Sequence, residues 1–192
     1  MLLQKTTELD AINIMLGTIG ESPINSLESA SGVSDAVIAR QILNEVLIQT
    51  QEEGWHFNVE SNFVLEPAYP SKEIFVPSNC IEVDAEDILI DVAIRGNRLY
   101  DRINHTFAFE KSLKCNIVLL LPFEDLPQAA RHYVTVRAAR VFQQRVVGSQ
   151  LLGAFSEKDE LRARVSLRRY DTKTADYNIL TGNYSVMRVL DR

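Results

Sequence analysis

Apolar and polar positions alternate along this chain in two rhythms, and the switch between them separates the predicted elements. Leu9, Ile12, Leu16 and Ile19 recur every three or four positions, so a short helix would gather them on one stripe. Gly20 ends that helix, because glycine accepts the left-handed conformation of a C-terminal cap, and Pro23 keeps the next segment from resuming it. Residues from Ser31 to Asp35 offer caps for a longer second helix. In it, Ile38, Ile42 and Val46 form one apolar row and Ala39, Leu43 and Leu47 the adjacent one. A face that wide needs at least two neighbours to cover it. Gly54 stops the helix, and Trp55 and Phe57 follow as large core anchors.

From about residue 60 the period shortens. Phe63 to Leu65, Ile74 to Val76, Ile81 to Val83, Ile88 to Ile94, Leu99 to Tyr100, Thr106 to Phe109 and Cys115 to Leu121 are short branched or aromatic runs separated by turn-formers, which predicts a small antiparallel sheet. Gly96-Asn97 is the clearest hairpin signal, since both residues accept positive backbone angles. Pro67, Pro70 and Pro77 confine their segments to edges or loops.

The helical period returns at Pro127, behind Glu124 and Asp125, which sit favourably at the positive end of a helix dipole, and runs to Gly148. Ala130, Val134, Ala138, Val141 and Phe142 form its inward stripe, with Arg131, Arg137, Arg140 and Arg145 largely outside. A last helix, about Ser156 to Asp176, is far more polar. Leu161 and Val165 make a narrow stripe among Arg162, Arg164, Arg168 and Arg169, as expected of a helix bathed in solvent or laid against another subunit. Residues 177–192 have no clear period yet contain Tyr177, Ile179, Leu180, Tyr184, Val186, Met187, Val189 and Leu190. An apolar, aperiodic tail suits ordering on a partner or on a neighbouring copy. The predicted fold is therefore α+β. A helical bundle core of about four helices (1–58 with 122–176) carries an inserted antiparallel β region (60–121) and an extended C-terminal tail (177–192).

Composition and charge narrow the classes. At 192 residues, with 46% hydrophobic and 24% charged, the chain can bury one core and is neither disordered nor fibrous. It contains no run of about 18 apolar residues, so no spanning helix is expected. Glu8 interrupts what would be the apolar core of a signal peptide, so export by that route is not expected. Cys80 and Cys115 lie in apolar contexts and read as buried free thiols. The net charge of -6 hides an asymmetry: residues 1–130 carry 8 basic and 20 acidic side chains, residues 131–169 carry 9 and 3, and residues 170–192 carry three of each. Such polarity suits a subunit with two electrostatic faces.

The search for reactive chemistry is mostly negative. There is no phosphate-binding glycine loop, dinucleotide fingerprint, zinc-protease helix or nucleophile elbow. His56, His105 and His132 are isolated. Glu82, Asp84, Glu86, Asp87 and Asp91 mimic the start of a calcium loop. The sixth position is Leu89 instead of glycine and the twelfth Arg95 instead of glutamate, so the match fails. No catalytic residue, cofactor or metal site is assigned. The alternative to a structural role is a glycan hydrolase acting on host surface polysaccharide, with a carboxylate pair drawn from Glu82, Asp84, Asp91 and Asp101. Nucleic-acid binding is disfavoured, since the basic helices lack interleaved aromatics and the overall charge is negative.

The order of these residues carries a resemblance. Ala11 to Glu28 (AINIMLGTIGESPINSLE), Arg40 to Asn44, Gly54-Trp55-His56-Phe57-Asn58, Leu99-Tyr100-Asp101-Arg102, Leu126-Pro127, Phe142 to Arg145, Val147-Gly148 and Tyr177 to Leu180 together resemble the tail tubular protein A family of short-tailed bacteriophages. The positions that mark it are Gly20, Pro23, Leu27, Trp55, Asp101, Arg102, Gly148 and Asn178. The resemblance implies a non-enzymatic adaptor, made in the host cytoplasm and built into the virion at the capsid vertex. Copies would form a ring, usually of twelve, joining the portal to the tail nozzle near the tail fibres, with a channel through which genomic DNA passes. On that basis residues 177–192 are expected to dock on the portal or a neighbour. Arg162, Arg164, Arg168 and Arg169 are expected to contact adjoining subunits or the portal, and part of the acidic excess to line the channel. No membrane contact is implied.

Overall fold

The computed structural model describes residues 4–28, 34–148 and 150–174, without the side chains of 150–156. The expected docking tail with Asn178, and the cap candidate Ser31, lie outside the described residues. Among those described are four α-helices and two small antiparallel sheets, an α+β fold. Compactness divides the chain into Met1–Ala39 with Pro127–Arg192, and Arg40–Leu126.

The first unit holds α1 (Glu8–Ile19), the start of α2 (Ser34–Gln51), α3 (Gln128–Val146) and α4 (Gln150–Thr174). Thr7 caps α1 in a reciprocal box: its hydroxyl accepts from the Asp10 N–H at 3.1 Å, and the Asp10 carboxylate accepts from the Thr7 N–H at 2.9 Å. That bond holds the Asp10 carboxyl below its ordinary range. Gly20 closes the helix at φ +82°, as its position in the sequence requires. The buried face of α1 is Ala11, Ile12, Met15 and Leu16, with the expected Leu9 and Ile19 only half-buried at its ends. Beyond the cap the chain folds back, because the Asn13 side chain both accepts from the Ile24 N–H at 2.8 Å and donates to the Ile24 carbonyl at 3.1 Å.

One expectation for α3 is corrected. Arg131, expected outside the inward stripe, is 4% exposed, because its guanidinium turns back to donate to the Thr6 carbonyl at 2.8 Å. Leu161 and Val165, the narrow apolar stripe of α4, are 64% and 50% exposed, as suits a helix face left to solvent or to another subunit, while Ala163 and Leu167 are buried. Charged neighbours explain which side of α4 is buried. Glu160 and Arg164 flank Ala163 on the inward side, and their polar ends are satisfied there by groups from α3. The helix also begins earlier than expected, at Gln150.

The second unit contains the rest of α2 and the strands β1 (Val59–Leu65), β2 (Cys80–Ala85), β3 (Val92–Arg95), β4 (Arg98–Asp101) and β5 (Leu113–Leu119). β5 is central between β1 and β2, and β3 pairs with β4, all antiparallel. Gly96, at φ +67°, and Asn97 form the two-residue turn between β3 and β4, as expected. The runs Ile74 to Val76 and Thr106 to Phe109 make only isolated bridges. The run from Ile88 splits: Ile88 and Leu89 stand in solvent and pairing begins at Val92. Leu65, Ile74, Val83, Leu99, Cys115 and Ile117 form the centre of this unit's core.

Two buried amides hold the end of α2 against β5. Gln51, fully buried, donates from Nε2 to the Leu121 carbonyl at 2.9 Å and accepts from the Leu121 N–H at 2.8 Å. Asn58, 2% exposed, accepts from the Trp55 N–H at 2.8 Å and donates to the carbonyls of Gln51 and Leu119, each at 3.0 Å. Trp55 is buried as expected, and its indole N–H donates to the Thr50 carbonyl at 2.6 Å. Each amide replaces a strand or helix partner for backbone groups that would otherwise be orphaned where the helix stops.

Candidate interaction surfaces

The outer side of the α3–α4 pair is built around one carboxylate. Glu160 accepts from Arg140 Nε and lies 3.9 Å from Arg137 Nε, all three side chains being less than a quarter exposed. Arg137 and Arg164 each donate to the Tyr133 hydroxyl at 3.4 Å. In a partly dehydrated seam such bonds are stronger than surface ion pairs, and they fix the rotation of α4 about its axis. An open groove of about 560 Å³ is lined by Arg140, Glu157, Lys158, Glu160, Leu161 and Arg164.

That rotation decides what α4 shows to solvent. With 100° per residue, Glu160, Ala163, Arg164, Leu167 and Tyr170 share the inward half-turn, and Lys158, Leu161, Arg162, Val165 and Arg169 share the outward one. Arg162 pairs with Asp159 at 3.2 Å across one turn, and Arg168 and Arg169 are exposed. The four arginines marked by sequence are thus not equivalent. Arg164 serves the seam, whereas Arg162, Arg168 and Arg169 border an exposed apolar pair.

In the second unit the acidic run has a different geometry from a cation site. Glu82 and Asp84 alternate outward on β2, and Glu86, Asp87 and Asp91 belong to the exposed turn that follows. Among the described residues no group of three metal-ligating side chains converges. Asp101 is occupied: its carboxylate accepts from the N–H groups of Ile103 at 2.9 Å and Asn104 at 2.8 Å, and from the Asn104 amide at 2.8 Å. The Asn104 bonds hold it below the carboxylate range, which is the opposite of what a glycosidase general acid needs. Asp91 faces Arg102 at 3.4 Å. Nothing in this arrangement favours the hydrolase alternative. Burial, reinforced by Asp84 and Cys80, pushes the Cys115 thiol up to about 11, so it stays neutral. Both cysteines are free thiols; Cys115 is buried as expected and Cys80 only half-buried.

The family positions acquire physical roles. Gly20 is the cap of α1, Trp55 a core anchor, Asp101 the brace of a tight turn with Arg102 beside it, and Gly148, at φ +69°, the turn after α3. Pro23 and Leu27 lie on the segment that Asn13 folds back. The buried amides Gln51 and Asn58 were missed from sequence. Their only signal was polar residues bracketing Gly54-Trp55, where an apolar stripe ends.

A fold that displays an apolar pair bordered by arginines on an outer helix face has a surface of the kind that components of larger assemblies carry. Comparison with known proteins makes this specific. The family model described as "Tail tubular protein" matches residues 9–177. A tail tubular protein A from Klebsiella phage KP34 is 30% identical over 167 residues, covering 85% of this chain and 86% of that protein. The chain belongs to the tail tubular protein family, and is a structural component of a phage tail.

Proposed function

We propose that the chain is the adaptor subunit that joins portal to tail nozzle, repeated in a ring around the channel through which the genome leaves, and that it catalyses nothing. The observation that carries this is the outward stripe of α4. A folded helix that keeps Leu161 and Val165 in solvent, bordered by Arg162, Arg168 and Arg169, has a surface suited to a protein partner. An adaptor also needs distinct faces, and Arg40–Leu126 carries 7 basic and 15 acidic side chains, whereas residues 131–169 are strongly basic. Repetition by rotation would turn each exposed acid near the axis into a collar of like charge. Such a collar, screened over about 8 Å at physiological salt, would keep DNA phosphates from adhering. Arg162, Arg168 and Arg169, with Arg164 behind them in the groove, serve contacts to adjoining subunits or the portal, and Tyr177 to Leu190 dock on the same assembly. Tail fibres attach nearby.

Reconstruction of intact particles by electron microscopy, with mass measurement of the released tail, tests this. A ring of this chain between portal and nozzle is expected, with an acidic channel wall and residues 177–190 against a partner. Its location anywhere else, or its absence from the tail, overturns the adaptor role.

A further inference from the structure

We infer that copies of this chain join head to tail by seating the acid-flanked apolar tip between β2 and β3 of one copy on the basic, apolar-centred outer stripe of α4 of the next. The inference deepens the adaptor role above and rests on the chain working as an assembly of copies.

The tip is a prepared surface. Ile88 and Leu89 are 96% and 78% exposed, the two most exposed aliphatic side chains among the described residues. Short bonds hold their backbone. The Leu89 N–H donates to the Asp87 carboxylate at 3.0 Å, and the Ile90 N–H to the Asp87 carbonyl at 2.9 Å. Both feet are tied, Glu86 N–H to the Lys114 carbonyl at 2.9 Å and Arg102 N–H to the Asp91 carbonyl at 2.8 Å. A loop fixed in this way surrenders little conformational freedom on docking, which favours a specific contact. Around the two apolar side chains stand Glu86, Asp87 and Asp91, all exposed, Asp91 pairing with Arg102 at 3.4 Å, and Lys111 and Lys114 line the groove beside Glu86 and Asp87.

The stripe on α4 is its counterpart. Leu161 and Val165, one turn apart, are 64% and 50% exposed, and Lys158, Arg162 and Arg169 border them. Apolar pair meets apolar pair, and the acids flanking the tip, Glu86 and Asp87 foremost, are opposite in sign to the cations bordering the stripe, so water leaves the centre while the rim fixes partner and orientation. A second copy supplies the tip because both surfaces occur once in every chain, and a contact between two different patches of identical chains repeats from copy to copy, closing into a ring where the rotation between copies closes.

The test is disulfide trapping in the full-length chain, as concentrated purified protein and in assembled tails. Leu89→Cys combined with Leu161→Cys should give a ladder of covalent multimers on mild oxidation, absent from either single variant, which controls for Cys80 and Cys115. Monomer bands in both preparations overturn the contact. A second measurement uses surface variants that leave both cores intact. Ile88→Ser and Val165→Ser, beside the two introduced cysteines, should each diminish the trapped multimers when added to the cysteine pair, and an undiminished ladder in both would also overturn it. If particles lack the chain at the vertex, the adaptor role fails separately, while the ladder in the purified protein still decides the contact.

Discussion

The helical unit and the strand unit of this chain solve the same problem, that of closing a modest core, by different chemistry. α3 and α4 meet along small and apolar residues such as Ala138, Ala163 and Leu167, and a partly dehydrated seam of Arg137, Arg140 and Glu160 sets their rotation. The strand unit has two separate sheets, one of three strands and one of only two, and the buried amides of Gln51 and Asn58 tie the helix end to the end of β5 and the residues just beyond it. Charge divides the same way: Arg40–Leu126 is strongly acidic and residues 131–169 are basic. A helical interface tolerates ionic groups because long side chains can carry their charges to its edge. A sheet edge inside a core exposes backbone donors and acceptors that only a polar side chain of the right reach can satisfy.

The sharpest way to break this contrast is to remove one amide. Asn58→Ala strands the Trp55 N–H and the Leu119 carbonyl, and leaves the Gln51 carbonyl only the Gly54 N–H at 3.1 Å. Leaving such groups unpaired costs roughly 1–3 kcal/mol each, so a loss of about 3 kcal/mol or more in urea unfolding is expected. Amide exchange should show β1 and β5 losing protection first. A loss below about 1 kcal/mol would mean that water replaces the amide and that the clamp is incidental.

A comparison within α4 sharpens the other side. Leu167→Ala removes a fully buried side chain and should cost about 2–4 kcal/mol. Leu161→Ala, six residues earlier on the exposed face, should stay within about 0.5 kcal/mol by thermal or urea unfolding. Equal losses at the two positions would mean that the outward stripe is covered within one chain.

This pair also marks what sequence could and could not reveal. The apolar rows of α2 apart from Ile38, which is 40% exposed, the Gly20 cap and the Gly96-Asn97 turn depend on residues within a few positions of one another, and each was legible. The inward face of α4 was not. Leu161 and Val165 are more apolar than Ala163, and only the placement of Arg140 and Tyr133 on α3 makes the polar side of the helix the buried one. Arg131 misled in the same way, since its carbonyl partner at Thr6 lies 125 positions away. Gln51 and Asn58 act on Leu121 and Leu119, again distant in the chain. For the candidate surfaces, the charge asymmetry was visible in the sequence, but which arginines stay outside was decided by tertiary partners.

The smallest expected effect concerns the turn that Asp101 braces, and it depends on pH. Bonds from Asn104, and then from Ile103, hold this carboxyl below the ordinary value of 3.8, with partial burial opposing them. The folded state therefore releases its proton at lower pH than the unfolded chain. The resulting stability is complete well above pH 3.8 and is lost as pH falls through the depressed native value. Asp101→Asn removes the charge but keeps an acceptor oxygen, so a cost of about 1 kcal/mol is expected near neutrality. The gap between the two proteins in denaturant unfolding should close in strong acid, where the native carboxyl also becomes protonated. A gap of constant size from neutral to acid would show that shape and not charge holds the turn, and Asp101 would then belong with the neutral amide clamps of the strand unit instead of standing apart from them.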